Sequence, residues 1–270
     1  MKTRSLLQTV AATSLLALSL AACGSSTSTD KSSGGPKVTF VKSGTLTVCS
    51  DVPYAPFEDF DKSTATGFTG FDVDMVAAIA EKLDVKLVIR DSDFDALQSG
   101  LLLNGRQCDL GASAMTINDE RKKHLLFSDG YYTSKQSLLV PSGSTITGIA
   151  DLAGKKVGVQ KGTTGETYTA EHAPDAKRIQ YADDGKMYLA LKAGQIDAIL
   201  QDLPVNLEHQ NDPKEPGKFQ VVETYDTAEV YGFAARKGNV ALIDAVNQQL
   251  KALKTDGEYQ KIYDSYFAVK

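Results

Sequence analysis

From Thr45 onward the chain alternates short apolar runs with helical patterns, and this alternation limits the possible folds more than any other feature. The segment Phe71–Leu83 is typical, because its apolar residues at positions 73, 76, 79, 80 and 83 form one helical stripe. The predicted elements of this part are strands at Leu46–Cys49, Val85–Arg90 and Cys108–Met115, and helices at Phe71–Leu83, Phe94–Leu103 and Asp119–Leu126. Such a rhythm predicts an α/β fold with a mainly parallel sheet flanked by helices.

The same rhythm restarts near Gly154 and predicts a second α/β lobe. Its predicted elements are strands at Val157–Gln160, Arg178–Tyr181 and Ile196–Gln201, with helices from Gly165 and at Gly185–Ala193. The chain closes with a predicted strand at Val230–Ala235 and helices at Ala241–Lys254 and Tyr259–Tyr266. Because α/β folds bind ligands at the carboxyl ends of parallel strands and at domain interfaces, we expect a site between the lobes.

The N-terminus has the pattern of an export signal. Lys2 and Arg4 precede the apolar run Leu6–Leu20, which is short for a membrane span of about 20 apolar residues. Residues 20–23 resemble a bacterial lipobox, which implies cleavage before Cys23 and acylation of that cysteine. An ordinary signal peptide with an incidental cysteine is the alternative. Residues 24–36 are rich in Ser, Thr and Gly, so we expect a flexible tether there.

Removing residues 1–22 from the 270-residue chain leaves 248 residues, enough for two domains. The formal charge then moves from −5 to about −7, because Lys2 and Arg4 are lost. An acidic mature chain argues against nucleic-acid binding. No second apolar run approaches membrane-spanning length.

Two cysteines remain beside Cys23. Since an exported protein meets an oxidising compartment, we expect a disulfide between Cys49 and Cys108, feasible if their strands are neighbours. Two buried free thiols are the alternative. The three histidines are isolated from one another and from the cysteines, so we predict no metal site and no cofactor.

Several motifs resemble the polar amino acid family of bacterial periplasmic solute-binding proteins, whose members bind glutamine, histidine, or lysine, arginine and ornithine. These motifs are Asp51–Glu58, Gly70–Asp74, Thr116–Arg121, Phe127–Tyr132 and Val157–Gln160. The resemblance covers about residues 43–268. It implies a two-lobed periplasmic-binding-protein fold of type II, in which two strands form a hinge.

The N-terminal pattern and the resemblance together give an expected division of the chain. We expect a signal peptide at 1–22, and a lipidated cysteine with its linker at 23–42. Lobe 1 is predicted at 43–130 plus 232–270, lobe 2 at 136–226, and the hinge strands at 131–135 and 227–231.

An amino acid ligand presents a carboxylate, and a guanidinium group with backbone N–H donors binds a carboxylate well. The resemblance implies that Arg121 pairs with this carboxylate and that Ser113, Ala114 and Thr116 contact the ligand. The alternative for Arg121 is a surface arginine paired with Asp119 or Glu120.

Two further residues are expected from the second lobe. The resemblance points to Thr164 as a contact of the ligand carboxylate, and Thr164 lies at a predicted helix start, where free N–H groups attract anions. Thr163 and Glu166 have capping-box spacing, so a purely structural cap is the alternative. The resemblance points to Asp202 as partner of the ligand ammonium group. The alternative for Asp202 is the N-cap of a helix near Pro204, and one aspartate could serve both.

The ligand side chain is expected to meet Asp51, Tyr54 and Phe94, with Gln160 and Gln201 as neutral polar contacts. The two aromatic rings could stack on a guanidinium, an amide or an aliphatic stem, or simply belong to the lobe core. Because Asp51 disfavours an anionic side chain, we expect glutamine or a basic amino acid as the ligand.

The expected function is that of a monomeric extracytoplasmic solute-binding protein, lipid-anchored to the cell membrane, which delivers an amino acid to the permease of an ABC-type importer by hinge closure. It is not expected to be an enzyme, since no dedicated acid/base pair is evident. A periplasmic dehydratase of the cyclohexadienyl type and a ligand-sensing lipoprotein are the alternatives.

Overall fold

The computed structural model describes residues 38–268, so Cys23, the signal segment and most of the linker lie outside it. The strands are β1 Thr45–Ser50, β2 Asp59–Phe60, β3 Phe68–Thr69, β4 Lys86–Asp91, β5 Leu110–Gly111, β6 Leu125–Phe127, β7 Tyr132–Pro141, β8 Lys156–Gln160, β9 Lys177–Tyr181, β10 Ala198–Asp202, β11 Phe219–Tyr231 and β12 Ala234–Arg236. The helices are α1 Phe71–Lys82, α2 Phe94–Gln98, α3 Leu101–Asn104, α4 Asp119–Lys122, α5 Thr164–His172, α6 Asp184–Lys192, α7 Leu203–Gln210, α8 Val240–Asp256 and α9 Glu258–Phe267, with a 3₁₀ turn at Ile149–Leu152.

Two five-stranded sheets organise the described residues. The first has the order β4-β1-β5-β12-β6, and the second has the order β11-β7-β10-β8-β9. The pairs β1–β4, β1–β5, β8–β9 and β8–β10 are parallel, as the alternating pattern predicts. The strands β7, β11 and β12 pair antiparallel with their neighbours. The predicted fold class, two lobes that each contain a sheet flanked by helices, is confirmed.

The apolar patterns explain these layers. Every residue of β1 is buried, which is typical of a strand covered on both faces. The helical stripe of α1 buries Val73, Val76 and Ile79 in the core of the first sheet. A separate core under the second sheet includes Leu138, Val157 and Leu200.

Several element predictions need correction. The predicted helix Phe94–Leu103 is split into α2 and α3. The break lies between them, where Gly100 adopts a left-handed φ of 83° that interrupts the helical backbone. The predicted helix Asp119–Leu126 ends at Lys122, and its apolar end becomes β6. The predicted strand Val230–Ala235 is not one strand: β11 ends at Tyr231, and β12 begins at Ala234.

The predicted disulfide is confirmed. Cys49 and Cys108 are joined, and their Cα atoms lie 5.8 Å apart. The bridge is possible because Cys49 pairs with Gly111, so β1 and β5 are neighbours in the first sheet. Both cysteines are buried in a small cluster with Phe94 and Leu97.

The long strands β7 and β11 pair antiparallel from Tyr132↔Tyr231 to Pro141↔Phe219. The predicted hinge segments, 131–135 and 227–231, coincide with one end of this pair. The pairing register shifts between Tyr225 and Glu229, where Ala228 has a left-handed φ of 51°. The lobe boundaries and the hinge assignment stay predictions.

Candidate ligand-binding site

A cavity of about 290 Å³ lies where the carboxyl ends of the two sheets meet. Its wall combines charged, hydroxyl and aromatic side chains, as is typical of sites that bind small polar molecules. All the predicted site residues except Gln201 line it, and Thr163 joins them. The lining residues are Asp51, Tyr54, Phe94, Ser113, Ala114, Thr116, Arg121, Gln160, Thr163, Thr164 and Asp202.

Arg121 is buried, with 3% of its surface exposed. Its guanidinium donates to the backbone oxygens of Thr116 at 2.8 Å and Gly162 at 3.0 Å. It also lies 5.2 Å from the ring centroid of Phe94. Among residues 38–268 it forms no ion pair. Burial lowers the pKa of Arg121 to about 10, so the side chain remains cationic near neutral pH.

The surface alternative for Arg121 is wrong. The neighbouring lysines make the pairs that this alternative required, Lys122 with Asp119 and Lys123 with Glu120. The side chain of Asn118 caps α4 by accepting from the Arg121 N–H at 2.8 Å, and the Arg121 side chain points inward from this helix.

The residues at the start of α5 both cap this helix and line the cavity. The Thr163 hydroxyl accepts from the Glu166 N–H at 3.1 Å, so Thr163 is the N-cap. Glu166 accepts from the Gly162 N–H at 2.8 Å, one residue earlier than a capping box requires. Thr164 lines the cavity beside this cap and donates its hydroxyl to Glu229 at 2.7 Å.

Asp202 ends β10 and is almost fully buried. It accepts from the Tyr54 hydroxyl and from the Gln136 amide, each at 2.6 Å. Burial, and then the charge of Glu229, raise the pKa of Asp202 to about 7. Its side chain makes no capping bond to α7, although it occupies the N-cap position, so the predicted double use is not observed.

Asp51 directly follows β1 and accepts a hydrogen bond from the amide of Gln160, which ends β8. The same amide donates to the Ala182 backbone oxygen at 3.0 Å. Burial is the main reason that the pKa of Asp51 rises to about 7. Tyr54 and Phe94 are both mostly buried and belong to the packed core as well as to the cavity wall.

Gln201 lies elsewhere, contrary to expectation. Its amide donates to Asp184 at 2.8 Å and to Asn206 at 3.1 Å, inside a buried polar network of the second sheet. Because successive strand residues point to opposite faces, Gln201 faces away from the cavity that its neighbour Asp202 lines.

Sequence reasoning missed Glu229, a buried residue of β11. Its Oε2 accepts from the hydroxyls of Thr116 at 2.6 Å and Thr164 at 2.7 Å. Its Oε1 accepts from the Gln136 amide at 3.0 Å and the Thr227 hydroxyl at 2.9 Å. An acidic residue inside a predicted hinge strand was the available signal, but the register shift before it could not be foreseen.

Between residues 38 and 268, no three His, Cys, Asp or Glu side chains are grouped so that they could hold a metal ion. In the same range, none of the helices combines the length and the apolar composition needed to span a bilayer.

The sequence matches the model of the family "Bacterial extracellular solute-binding proteins, family 3" over residues 46–269. It is 32% identical over 262 residues to a probable histidine-binding protein of Neisseria gonorrhoeae, covering 96% of this chain and 94% of that protein. It is 33% identical to the ABC transporter glutamine-binding protein GlnH of Bacillus subtilis, covering 92% of this chain and 91% of that protein.

Solved structures similar to this chain are also described as amino acid-binding proteins. An ancestral arginine-binding protein bound to arginine is 36% identical with a TM-score of 0.78, covering 83% of this chain and 99% of that chain. An ancestral amino acid-binding protein, described as a precursor of cyclohexadienyl dehydratase, is 36% identical with a TM-score of 0.73, covering 83% and 95%.

Proposed function

Because the chain belongs to family 3 of the bacterial extracellular solute-binding proteins, we propose that it captures a polar amino acid outside the cytoplasm and delivers it to an ABC-type importer. The relatives named for histidine, glutamine and arginine binding support this function. We further propose that the mature chain is monomeric and anchored to the membrane by lipid on Cys23, a residue outside the described range.

The observation that carries the proposal is the buried guanidinium of Arg121. It is a cation in the cavity wall whose hydrogen bonds go only to backbone oxygens in the described residues. The charges of Glu229 and Asp202 act on this guanidinium but do not pair with it, so a ligand carboxylate can bind it directly in the fork geometry that arginine favours. Backbone near Ser113 and Ala114 and the start of α5 at Thr164 complete the carboxylate site.

The ammonium group of the ligand is assigned to Asp202, because an ionised carboxylate on the same cavity wall is its natural partner. The side chain of the ligand is assigned to Asp51, Tyr54, Phe94 and Gln160. An acceptor carboxylate beside two aromatic rings favours a side chain with donors, such as the amide of glutamine or a basic group.

Hinge closure is the proposed mechanism. Arg121, Tyr54 and Asp51 belong to the part with the first sheet, whereas Thr164 and Asp202 belong to the part with the second. A ligand that touches both parts binds the closed form more tightly than the open form, and this difference in affinity drives closure. The strands β7 and β11 are the proposed bending point.

A thermal-shift screen of the twenty standard amino acids plus ornithine and citrulline tests the ligand class. Selective binding raises the melting temperature by mass action, with glutamine or a basic amino acid expected to give the largest shift. Arg121→Ala should abolish binding of every amino acid, whereas Lys122→Ala, on the exposed side of the same short helix, should leave it unchanged. Tight binding by Arg121→Ala would remove Arg121 from the carboxylate role.

We propose that the protein has no catalytic activity of its own. A dehydratase is the second candidate function, because the chain is similar to a precursor of cyclohexadienyl dehydratase. Incubation with prephenate or arogenate decides between the two functions. Multiple turnovers of either compound would contradict a pure binding role.

A further inference from the structure

Two fully buried carboxyl groups, those of Glu58 and Asp72, lie behind the cavity wall. Their segments are packed backbone to backbone, since the Asp72 N–H donates to the Phe57 oxygen at 2.9 Å. Gly70 permits this approach, because a Cβ at that position would lie 2.2 Å from the Phe57 oxygen and 2.8 Å from the Glu58 Cα. Neither carboxyl group lines the cavity.

The hydrogen bonds of the two carboxyl groups differ. Asp72 Oδ2 accepts from the Ala114 N–H at 2.9 Å and from the Tyr131 hydroxyl at 2.6 Å. Glu58 Oε1 accepts from the Ser113 hydroxyl at 2.6 Å. The other two oxygens, Glu58 Oε2 and Asp72 Oδ1, are buried without a hydrogen-bond partner among the described residues.

The titratable groups that act most strongly on Glu58 among the described residues are acidic or phenolic. The groups whose charges act on Glu58 are the carboxyls of Asp72, Asp51 and Asp202. The phenols of Tyr54 and Tyr131 also interact with Glu58. Within residues 38–268, neither Glu58 nor Asp72 forms an ion pair. Two unpaired buried charges would cost several kcal/mol each, and a single shared proton removes most of that cost.

We infer that Glu58 and Asp72 share one proton near neutral pH, bound to Glu58 Oε2 and donated to Asp72 Oδ1, and that this pair positions Ser113 and Ala114 at the cavity wall. A protonated carboxyl is a donor, so one proton satisfies both oxygens that otherwise lack a partner. Asp72 is the ionised member because two donors already point at it, whereas Glu58 receives one.

The pKa directions agree with this assignment. Burial, and then the charge of Asp72, raise the pKa of Glu58 well above its ordinary value. Burial also raises the pKa of Asp72, but its bonds from Tyr131 and Ala114 oppose that rise. Coupled carboxyl pairs of this kind lose their two protons in separate steps.

The pair acts on the cavity through two neighbouring residues. The Ser113 hydroxyl donates to Glu58 and accepts from the Asp51 N–H at 3.0 Å. Ala114 has a φ of 43°, an uncommon value for alanine, which its hydrogen bond to Asp72 helps to maintain. Glu58 and Asp72 are therefore positioning residues, and loss of the proton would add a second negative charge behind the wall.

Carbon-13 NMR of the side-chain carboxyls in the ligand-free mature chain tests the pair directly. We expect the Glu58 carboxyl signal at the protonated position near neutral pH and the Asp72 signal at the ionised position. Glu58→Gln should remove the protonated signal. Glu81→Gln is the control, because Glu81 is exposed on α1, and this variant should keep the signal. Should Glu58→Gln fail to fold, through-bond assignment of the wild-type signals serves instead. Two ionised signals, or a protonated Asp72 beside an ionised Glu58, would overturn the inference.

A second arm measures the effect on binding and rests on the proposed function. With a ligand found in the amino acid screen, wild-type affinity should fall by about tenfold at alkaline pH as the shared proton is lost. Glu58→Gln should show a smaller decline, because its amide donates to Asp72 at every pH. The part of the decline that comes from the ligand ammonium group and from Arg121, whose pKa is about 10, should remain in both proteins. An alkaline decline of equal size in Glu58→Gln would contradict the positioning role. If no amino acid binds, the proposed function fails while the NMR result still decides whether the proton is shared.

Discussion

The Tyr54 hydroxyl donates to Asp202 Oδ2 at 2.6 Å, which joins a residue after the first strand of one sheet to the last residue of a strand in the other. This bond is one of those that lower the pKa of Asp202, against burial and the charge of Glu229, which raise it to about 7. An ammonium group binds the ionised form of Asp202 more strongly. The affinity for an amino acid should therefore rise between about pH 6 and about pH 8.

Tyr54→Phe should shift this rise to higher pH, because Asp202 loses a donor that stabilises its charge. Isothermal titration at several pH values measures the midpoint in both proteins. Asp202→Asn is the matched control, since residue 202 can no longer ionise. It should bind weakly and should keep only the part of the rise that comes from Asp51, whose pKa is also about 7. An unchanged or lower midpoint in Tyr54→Phe would show that the hydroxyl does not tune Asp202.

Glu229→Ala should lower both stability and ligand affinity. The substitution leaves the hydroxyls of Thr116 and Thr164 without this acceptor, whereas the Gln136 amide still donates to Asp202. An unsatisfied buried donor costs about 1–3 kcal/mol. Urea unfolding and titration with ligand measure the two effects. Thr227→Val is the control, because it removes one half-buried donor to the same carboxylate and leaves the cavity residues bonded. Equal effects of the two variants would argue against a special role for Glu229.

Reduction of the Cys49–Cys108 bond should destabilise the fold. The bond joins residues separated by 59 positions, and closing such a loop stabilises a protein by about 2–4 kcal/mol. The free energy of unfolding in urea, with and without a reductant, measures the loss. The double variant Cys49→Ser/Cys108→Ser should be less stable than wild type and insensitive to the reductant. An identical unfolding curve for reduced and oxidised wild type would contradict this stabilisation.

Cys23→Ser should abolish lipid attachment. The serine lacks the thiol that acylation requires, so the chain should leave the membrane fraction and should not incorporate a labelled fatty acid. Wild type and Cys49→Ser/Cys108→Ser should both remain labelled, because neither changes Cys23. Continued labelling of Cys23→Ser would contradict the assignment of the anchor.

Local patterns were sufficient to predict the two α/β lobes, because strand and helix periodicities are properties of neighbouring residues. The cavity residues were predicted from the family resemblance, and their positions fit this fold: Asp51 follows β1, Arg121 lies in α4 and Asp202 ends β10. Parallel strands bring their carboxyl ends to one edge, so these positions converge without knowledge of side-chain contacts.

Other features depend on contacts between distant residues and could not be predicted. Glu229 reaches the cavity residues only because the β11 register shifts before it. Gln201 was misplaced because one residue of error in strand phase turns a side chain to the opposite face. The break at Gly100 and the strand β6 reflect tertiary packing that overrides a helical pattern.

The guanidinium of Arg121 also defines what the cavity should reject. Amines and polyamines without a carboxylate could fill the same space and contact the same aspartates, but they would bury this cation next to a second one. The repulsion would be strong between buried charges, so such a compound should be excluded even when its shape fits. The cavity then selects ligands that carry a carboxylate, because any other ligand leaves the charge of Arg121 unpaired. The remaining wall residues distinguish one amino acid from another.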